Sequence, residues 1–269
     1  SLAFDRKDFD KFDRGDYTGV KFAGMLQYDG DLNIPENYLV QPPVITNTLT
    51  EVLCEAGIKE FVICAGYKQH IIKEWFSNYF LHTSDITFDF TQKDKIIVHD
   101  KKGEDWKVTV VDTGLNTMTG GRLKRVGKYL GDEPFCMTYG DGVSDVDIHV
   151  LIDFHRKHGK LGTMTAVRPG SKFGVVELGD GDEVKTFREK STVDSGWINA
   201  GFMVLEPKVL DLIKGDETVF EDSPLETLSA KGQLMCFRHE GFWQCMDTLR
   251  DKNLLESLWA ENKAPWKVW

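Results

Sequence analysis

From residue 46 onward the chain alternates short apolar runs with longer stretches in which apolar residues recur every three or four positions. "TNTLTEVLCEAG" (46–57) carries Leu49, Val52 and Leu53 at helical spacing and stops at Gly57, a natural helix end. "KEFVICAG" (59–66) is continuously apolar and bounded by glycine, as a strand covered on both faces should be. "KQHIIKEWFSNYF" then sets Ile71, Ile72, Trp75, Phe76, Tyr79 and Phe80 on one helical stripe, read as core packing. "ITFDF" and "KIIVHD" predict a hairpin-like insertion, and "KVTVVDTG" a further strand.

The pattern continues with "TGGRLKRVGKYLG", a glycine-rich turn entering a helix with Leu123, Val126 and Leu130 inward. Strand "PFCMTYGD", helix "VDIHVLIDFHRKHGK" and strand "GTMTAVR" follow. "FGVVELGDGDEVKTFREK" reads as two strands about a Gly-Asp-Gly-Asp turn, and "GWINAGFMVLEP" as another strand. "PKVLDLIKG", "SPLETLSAKG" and "TLRDKNLLESLWAEN" read as helices. Such alternation predicts an α/β fold: a mostly parallel mixed sheet flanked by helices on both faces, with small β additions. Neither a repeat nor a linker divides the chain, so one domain over 1–269 is expected.

Composition changes this picture little. Apolar residues make up 41% of the chain, enough for a sizeable core, and the net charge of −10 argues against a nucleic-acid or anionic-membrane surface. No apolar run reaches membrane-span length, and the charged opening "SLAFDRKDFDKFDRGD" lacks a signal-peptide apolar region, so a cytoplasmic protein is expected. Five cysteines without a CxxC pair make no disulfide framework; Cys64 and Cys136 lie in strand-like runs and read as small core residues. His155 and His158 read as solvated residues on an amphipathic helix.

Charge placement is more informative. In "PFCMTYGDGVSDVD" (134–147) an apolar run ends at Tyr139-Gly140, and three aspartates follow within seven positions. Open α/β sheets bind ligands beyond the carboxyl ends of their strands, where Asp141 is expected. Alone, "GDG" is more often a turn than a site. A second carboxylate, Asp247 in "GFWQCMDTLRD", also follows an apolar segment, and two such groups at one sheet edge would hold Mg²⁺, a hard cation that prefers oxygen. "TGGRLKR" offers either bare backbone at Gly120 and Gly121 beside the donors Arg122, Lys124 and Arg125, or a helix start with a solvated basic face. Lys190 follows a strand and is either a phosphate contact or a surface lysine. Asn199 beside Ala200 and Gly201 suits hydroxyl recognition or a bulge.

Together, "KVTVVDTGLNTMTGGRLKRV", "FCMTYGDGVSDVD", "WINAGFMVLEP" and "GFWQCMDTLRDKNLLESLW…APWKVW" resemble the glucose-1-phosphate cytidylyltransferases, a branch of the sugar nucleotidyltransferases, from about residue 57 to the C-terminus. The resemblance implies a Rossmann-like nucleotidyltransferase fold. It also implies a Mg²⁺-dependent reaction of CTP with glucose 1-phosphate that yields CDP-glucose and pyrophosphate for surface polysaccharide biosynthesis. By the same resemblance Asp141 and Asp247 are metal ligands and, with Lys190 on the sugar phosphate, the catalytic set. Gly120, Gly121, Arg122, Tyr139 and Gly140 would meet the nucleotide, and Glu189, Lys190, Asn199 and Gly201 the sugar. Ala200 stands where glycine is usual, and Ser191 where proline is. A homo-oligomer is expected.

Residues 1–47 depart from that family, which opens with a strand, an LAGGxGTRL-type triphosphate loop and a lysine. Here "VKFAG" can be the first strand, but no arginine follows, Met25 replaces a glycine, and no lysine lies between Lys21 and Lys59. Three readings follow: an active cytidylyltransferase holding its triphosphate differently, an impaired homologue that binds a nucleotide sugar or partners an active subunit, or a glycosyltransferase using Asp145-Val146-Asp147 as a metal-binding DxD.

Overall fold

A computed structural model describes residues 21–25, 58–92, 95–99, 106–169, 175–178, 184–188 and 196–267. In chain order the elements are β1 (Lys21–Met25), β2 (Glu60–Ala65), α1 (Gln69–Ser77), α2 (Tyr79–Thr83), β3 (Asp85–Asp89), β4 (Lys95–His99), β5 (Lys107–Asp112), α3 (Thr119–Leu130) and β6 (Phe135–Tyr139). They continue with β7 (Gly142–Ser144), α4 (Ile148–His158), β8 (Gly162–Val167), β9 (Val175–Leu178), β10 (Val184–Arg188), β11 (Ile198–Leu205) and a 3₁₀ turn at Pro207–Leu212. The last are α5 (Ser223–Ala230), β12 (Leu234–Arg238), β13 (Trp243–Cys245) and α6 (Leu249–Ala260).

Seven strands make the main sheet in the order β12-β8-β11-β6-β1-β2-β5. Parallel pairing joins β5, β2, β1 and β6, and separately β12 and β8; β11 alone runs against both its neighbours. The carboxyl ends of six strands therefore share one edge, and β11 enters the sheet from that edge at Ile198. The expected first strand is present: β1 is an interior strand, between β2 and β6. The helix expected over 46–57 lies outside the described residues.

Apolar periodicity explains the layers. Leu123, Val126 and Leu130 of α3 are at most 1% exposed and pack with Phe135, Met137, Met203, Leu205 and Leu228 on one face of the sheet. Ile148, Leu151 and Ile152 of α4 cover the other face with Phe61, Cys136 and Val204. Each such fully buried aliphatic or aromatic side chain contributes about 1.5–3 kcal/mol. Local signals set the helix ends: the Asp147 carboxylate accepts from Val150 N (3.0 Å) and starts α4, while Gly159 at φ 62° closes it. Cys64 and Cys136 are buried, and burial pushes both thiols up to about 12.

Several expectations need correction. The stripe of α1 and α2 is half-buried at best, with Phe80 41% exposed, and the helix breaks at Asn78. "PKVLDLIKG" is a 3₁₀ turn started by Pro207. His155 is buried and His158 half-buried. His155 Nδ1 and His158 Nε2 both meet Thr163 Oγ1, at 2.8 and 2.7 Å, because Gly162-Thr163 begins β8 beneath the end of α4. Lys160 N donates to His158 Nδ1, so His158 Nε2 carries the proton given to Thr163. Strands β7, β12 and β13 had no counterpart in the sequence pattern.

Candidate active site

Asp141 follows β6 at the carboxyl edge and leads into β7, which pairs antiparallel with β13 in the register Gly142↔Cys245 and Ser144↔Trp243. One position beyond that ladder, Met246 N donates to the Asp141 carbonyl at 2.8 Å. Asp247 is thereby held beside Asp141 across about a hundred residues of sequence. Both residues are exposed at that edge. Partial desolvation, reinforced by the charge of Asp247, holds the Asp141 carboxyl above the usual carboxylate range. The Cys245 thiol donates to Asp247 Oδ2 at 3.1 Å and is itself pushed up to about 11, first by desolvation and then by that bond.

Two mutually repelling carboxylates fit a hard divalent cation that keeps water ligands and shares substrate phosphate oxygens. Among the described residues no three His, Cys, Asp or Glu gather into a metal-binding group, so the pair does not extend to a closed cage. Asp247 is fixed from both sides. It links β13 to α6, and α6 begins with a capping box in which Thr248 N and Oγ1 donate to the half of the Asp251 carboxylate at Oδ2 (3.1 and 2.7 Å). The other oxygen of Asp251 accepts from Gln244 Nε2 of β13 (3.2 Å). A small core of Val143, Leu255, Ala264 and Trp266 lies beneath, with Trp266 stacked on Phe242 at 5.4 Å.

Asn199 and Gly201 form a bulge where the β11–β8 register shifts. Asn199 Oδ1 accepts from Gly201 N (2.9 Å), and Gly201, at φ +81°, lies so close to the Tyr139 ring that a Cβ would stand 2.6 Å from it. Tyr139 is thus a packing partner of the bulge; its hydroxyl is buried without a hydrogen bond among the described residues. Gly140 is buried in the turn before Asp141. Arg168 and Arg238, at the ends of β8 and β12, lie over the Trp197 ring at 4.6 and 5.7 Å and bring positive charge to this edge.

The glycine-rich turn has a different role from the one expected. The amides of Gly120 and Gly121 donate to Thr218 O (2.9 and 3.2 Å), and a Cβ on Gly121 would lie 2.6 Å from Asp216 Cα. These glycines admit the chain's own 216–218 loop, which covers the start of α3, rather than a nucleotide. Arg122, 5% exposed, gives Nη1 to Thr113 Oγ1 and Gly114 O (both 2.8 Å) and Nη2 to Leu115 O (3.1 Å), so it shapes the loop after β5 from within. Arg125 pairs with Asp216 (2.5 Å), and Lys124 Nζ donates to Ile213 O, so neither is simply solvated. Glu189 and Lys190 lie outside the described residues. The DxD reading is overturned: Asp147 caps α4, and Asp145 Oδ1 accepts from His239 Nε2 at 2.8 Å.

This architecture, a sheet with one reversed strand and acidic residues at its carboxyl edge, is that of a nucleotidyltransferase. The chain belongs to the nucleotidyl transferase family, whose model matches residues 37–251. The solved UDP-glucose pyrophosphorylase in complex with UDP-glucose shares the fold, with TM-score 0.61 and 16% identity over 90% of this chain and 99% of that one. Its branch within the family is that of the glucose-1-phosphate cytidylyltransferases. The Salmonella typhimurium enzyme of that name is 55% identical over 214 residues, 79% of this chain and 82% of its own. A probable glucose-1-phosphate cytidylyltransferase of Bacillus subtilis is 37% identical over 254 residues, 93% of this chain and 97% of its own. Among the described residues no helix is long and apolar enough to cross a membrane.

Proposed function

We propose that the chain transfers a cytidylyl group from CTP to glucose 1-phosphate, giving CDP-glucose and pyrophosphate. The observation that carries this reading is the convergence of Asp141 and Asp247 at the carboxyl edge, set by the β7–β13 ladder. A phosphate oxygen of glucose 1-phosphate attacks the α-phosphorus of CTP in line, a new P–O bond forms, and the bond to the β-phosphate breaks to release pyrophosphate. Asp141 and Asp247 would hold Mg²⁺, which offsets the charge developing on the phosphoryl oxygens. The loop held by Arg122 would meet the nucleotide. The amide N–H₂ of Asn199 and the carboxylate of Glu189 would meet sugar hydroxyls, and Lys190 the sugar phosphate, as their sequence context suggests.

Pyrophosphate release with CTP, glucose 1-phosphate and Mg²⁺ tests the reading, run beside the other nucleoside triphosphates and sugar 1-phosphates. Turnover should be greatest with CTP and glucose 1-phosphate, and Asp141→Asn and Asp247→Asn should each reduce it at least a thousandfold while circular dichroism stays native. Wild-type rates in either variant, or release with another substrate pair only, would overturn it.

A further inference from the structure

We propose that Trp243 is a positioning residue that couples the sugar-binding bulge of β11 to the aspartate pair. The inference rests on the functional reading above.

A bulge strands backbone groups. Where the β11–β8 register shifts between Asn199 and Met203, Ala200 is only 4% exposed, so its carbonyl needs an acceptor's partner from elsewhere. Trp243 Nε1 supplies it, donating to Ala200 O at 2.9 Å. Trp243 lies in β13, opposite Ser144, and four residues before Asp247. Its indole also packs against the core cluster to which Ala200, Phe202 and Val204 of β11 belong. Gly142, next to Asp141, faces this junction: a Cβ there would lie 3.8 Å from Trp243 Nε1 and 4.0 Å from Ala200 O.

A second contact closes the circuit. Tyr139, two residues before Asp141, sets its ring against Gly201. The path Asp141–Tyr139–Gly201–Ala200–Trp243–Asp247 therefore returns to its start, through the chain itself, the Tyr139–Gly201 contact and two hydrogen bonds, Trp243 Nε1 to Ala200 O and Met246 N to Asp141 O. Both orphan groups of the bulge, Ala200 O and Gly201 N, are satisfied by side chains: one from β13, the other from Asn199 itself. Movement of the bulge on sugar binding must be felt by the ribbon that carries the aspartates, and the reverse.

Trp243→Phe removes the N–H and keeps most of the ring. The KM for glucose 1-phosphate should rise at least fivefold, the KM for CTP should stay within twofold, and kcat should fall less than threefold. The double variant with Asn199→Ala should raise that KM by less than the product of the single effects, since both act through one bulge. A uniform loss of kcat with unchanged KM values, as a purely structural role gives, refutes the proposal, as does full multiplicativity. Wild-type hydrogen exchange provides a test that needs no variant. Mg²⁺ alone should increase protection of the 198–205 segment, and glucose 1-phosphate alone that of 243–247; protection confined to each ligand's own segment refutes coupling. If wild-type protein releases no pyrophosphate from CTP and glucose 1-phosphate, the functional reading fails by that assay, whatever the exchange shows.

Discussion

Replacing Arg122 by methionine separates a ligand-binding arginine from one that builds a loop. The substitution keeps the apolar stem and removes a guanidinium that makes three contacts, at 2.8, 2.8 and 3.1 Å, to Thr113, Gly114 and Leu115. Hydrogen bonds to a charged group contribute about 1.5–3 kcal/mol each. Two effects reduce that gross figure. Leu115 is 63% exposed, so water can replace the lost donor there. Desolvation, with the charge of Arg125, already disfavours the guanidinium and lowers its pKa, so its removal relieves some cost. A net destabilisation of about 2–4 kcal/mol follows, roughly a 5–15 °C fall in Tm for a domain of this size. Thermal unfolding followed by tryptophan fluorescence measures it, alongside the KM for CTP. Tm should fall, with any rise in KM for CTP accompanying it. A Tm within about 1 °C of wild type together with a tenfold higher KM for CTP would show that Arg122 touches the nucleotide directly, and the loop-shaping account would be wrong.

Two further outcomes are expected. Burial, then His158 and Arg156, lower the His155 pKa to about 4, whereas the unfolded imidazole protonates near 6.5. The unfolded chain then binds more protons between those values, so this contribution to stability is complete above pH 6.5 and is lost as pH falls towards 4, by at most about 3 kcal/mol; urea midpoints at pH 7 and 4.5 should show a drop that His155→Asn makes smaller. Asp251→Ala should cost about 1–2 kcal/mol through loss of the capping box and raise the Mg²⁺ concentration for half-maximal rate, and Asp251→Glu, the usual partner in such a box, should recover much of both.

The layers of this fold were legible because their signals are local. Leu123, Val126 and Leu130 recur at helical spacing within one element, and the burial of all three follows. Asp141 and Asp247 were legible as carboxylates after apolar segments, which chain direction brings to one edge. What joins them was not: β7 and β13 have three residues each and pair across about a hundred positions, too short for a periodic signal. The same distance hid the roles of Gly120 and Gly121. A glycine that admits a phosphate and one that admits the loop at Asp216–Thr218 look alike until that loop is placed. The burial of His155 and His158 leaves no local signal because the partner they share, Thr163, belongs to the next strand. Trp243 carried a faint signal, an aromatic residue just before Asp247, but its acceptor in the β11 bulge exists only in three dimensions.

Trp266 stacks on Phe242, and the Phe242 carbonyl in turn accepts from Ser144 Oγ (2.8 Å) and Asp145 N (3.2 Å). A ribosome that has made Asp141 must add about 125 more residues before Trp266 leaves the peptidyl-transferase centre, roughly 6–25 s at ordinary elongation rates. During that interval β6 can already stack on β1 and β2, yet the ribbon bearing the aspartates has neither its second strand nor the stacked ring below it. The scaffold can therefore exist on the nascent chain well before the aspartate pair is assembled. Stalling or truncation between residues 205 and 260 should leave a chain with much of its sheet and without the paired aspartates, because Trp266 must still reach Phe242.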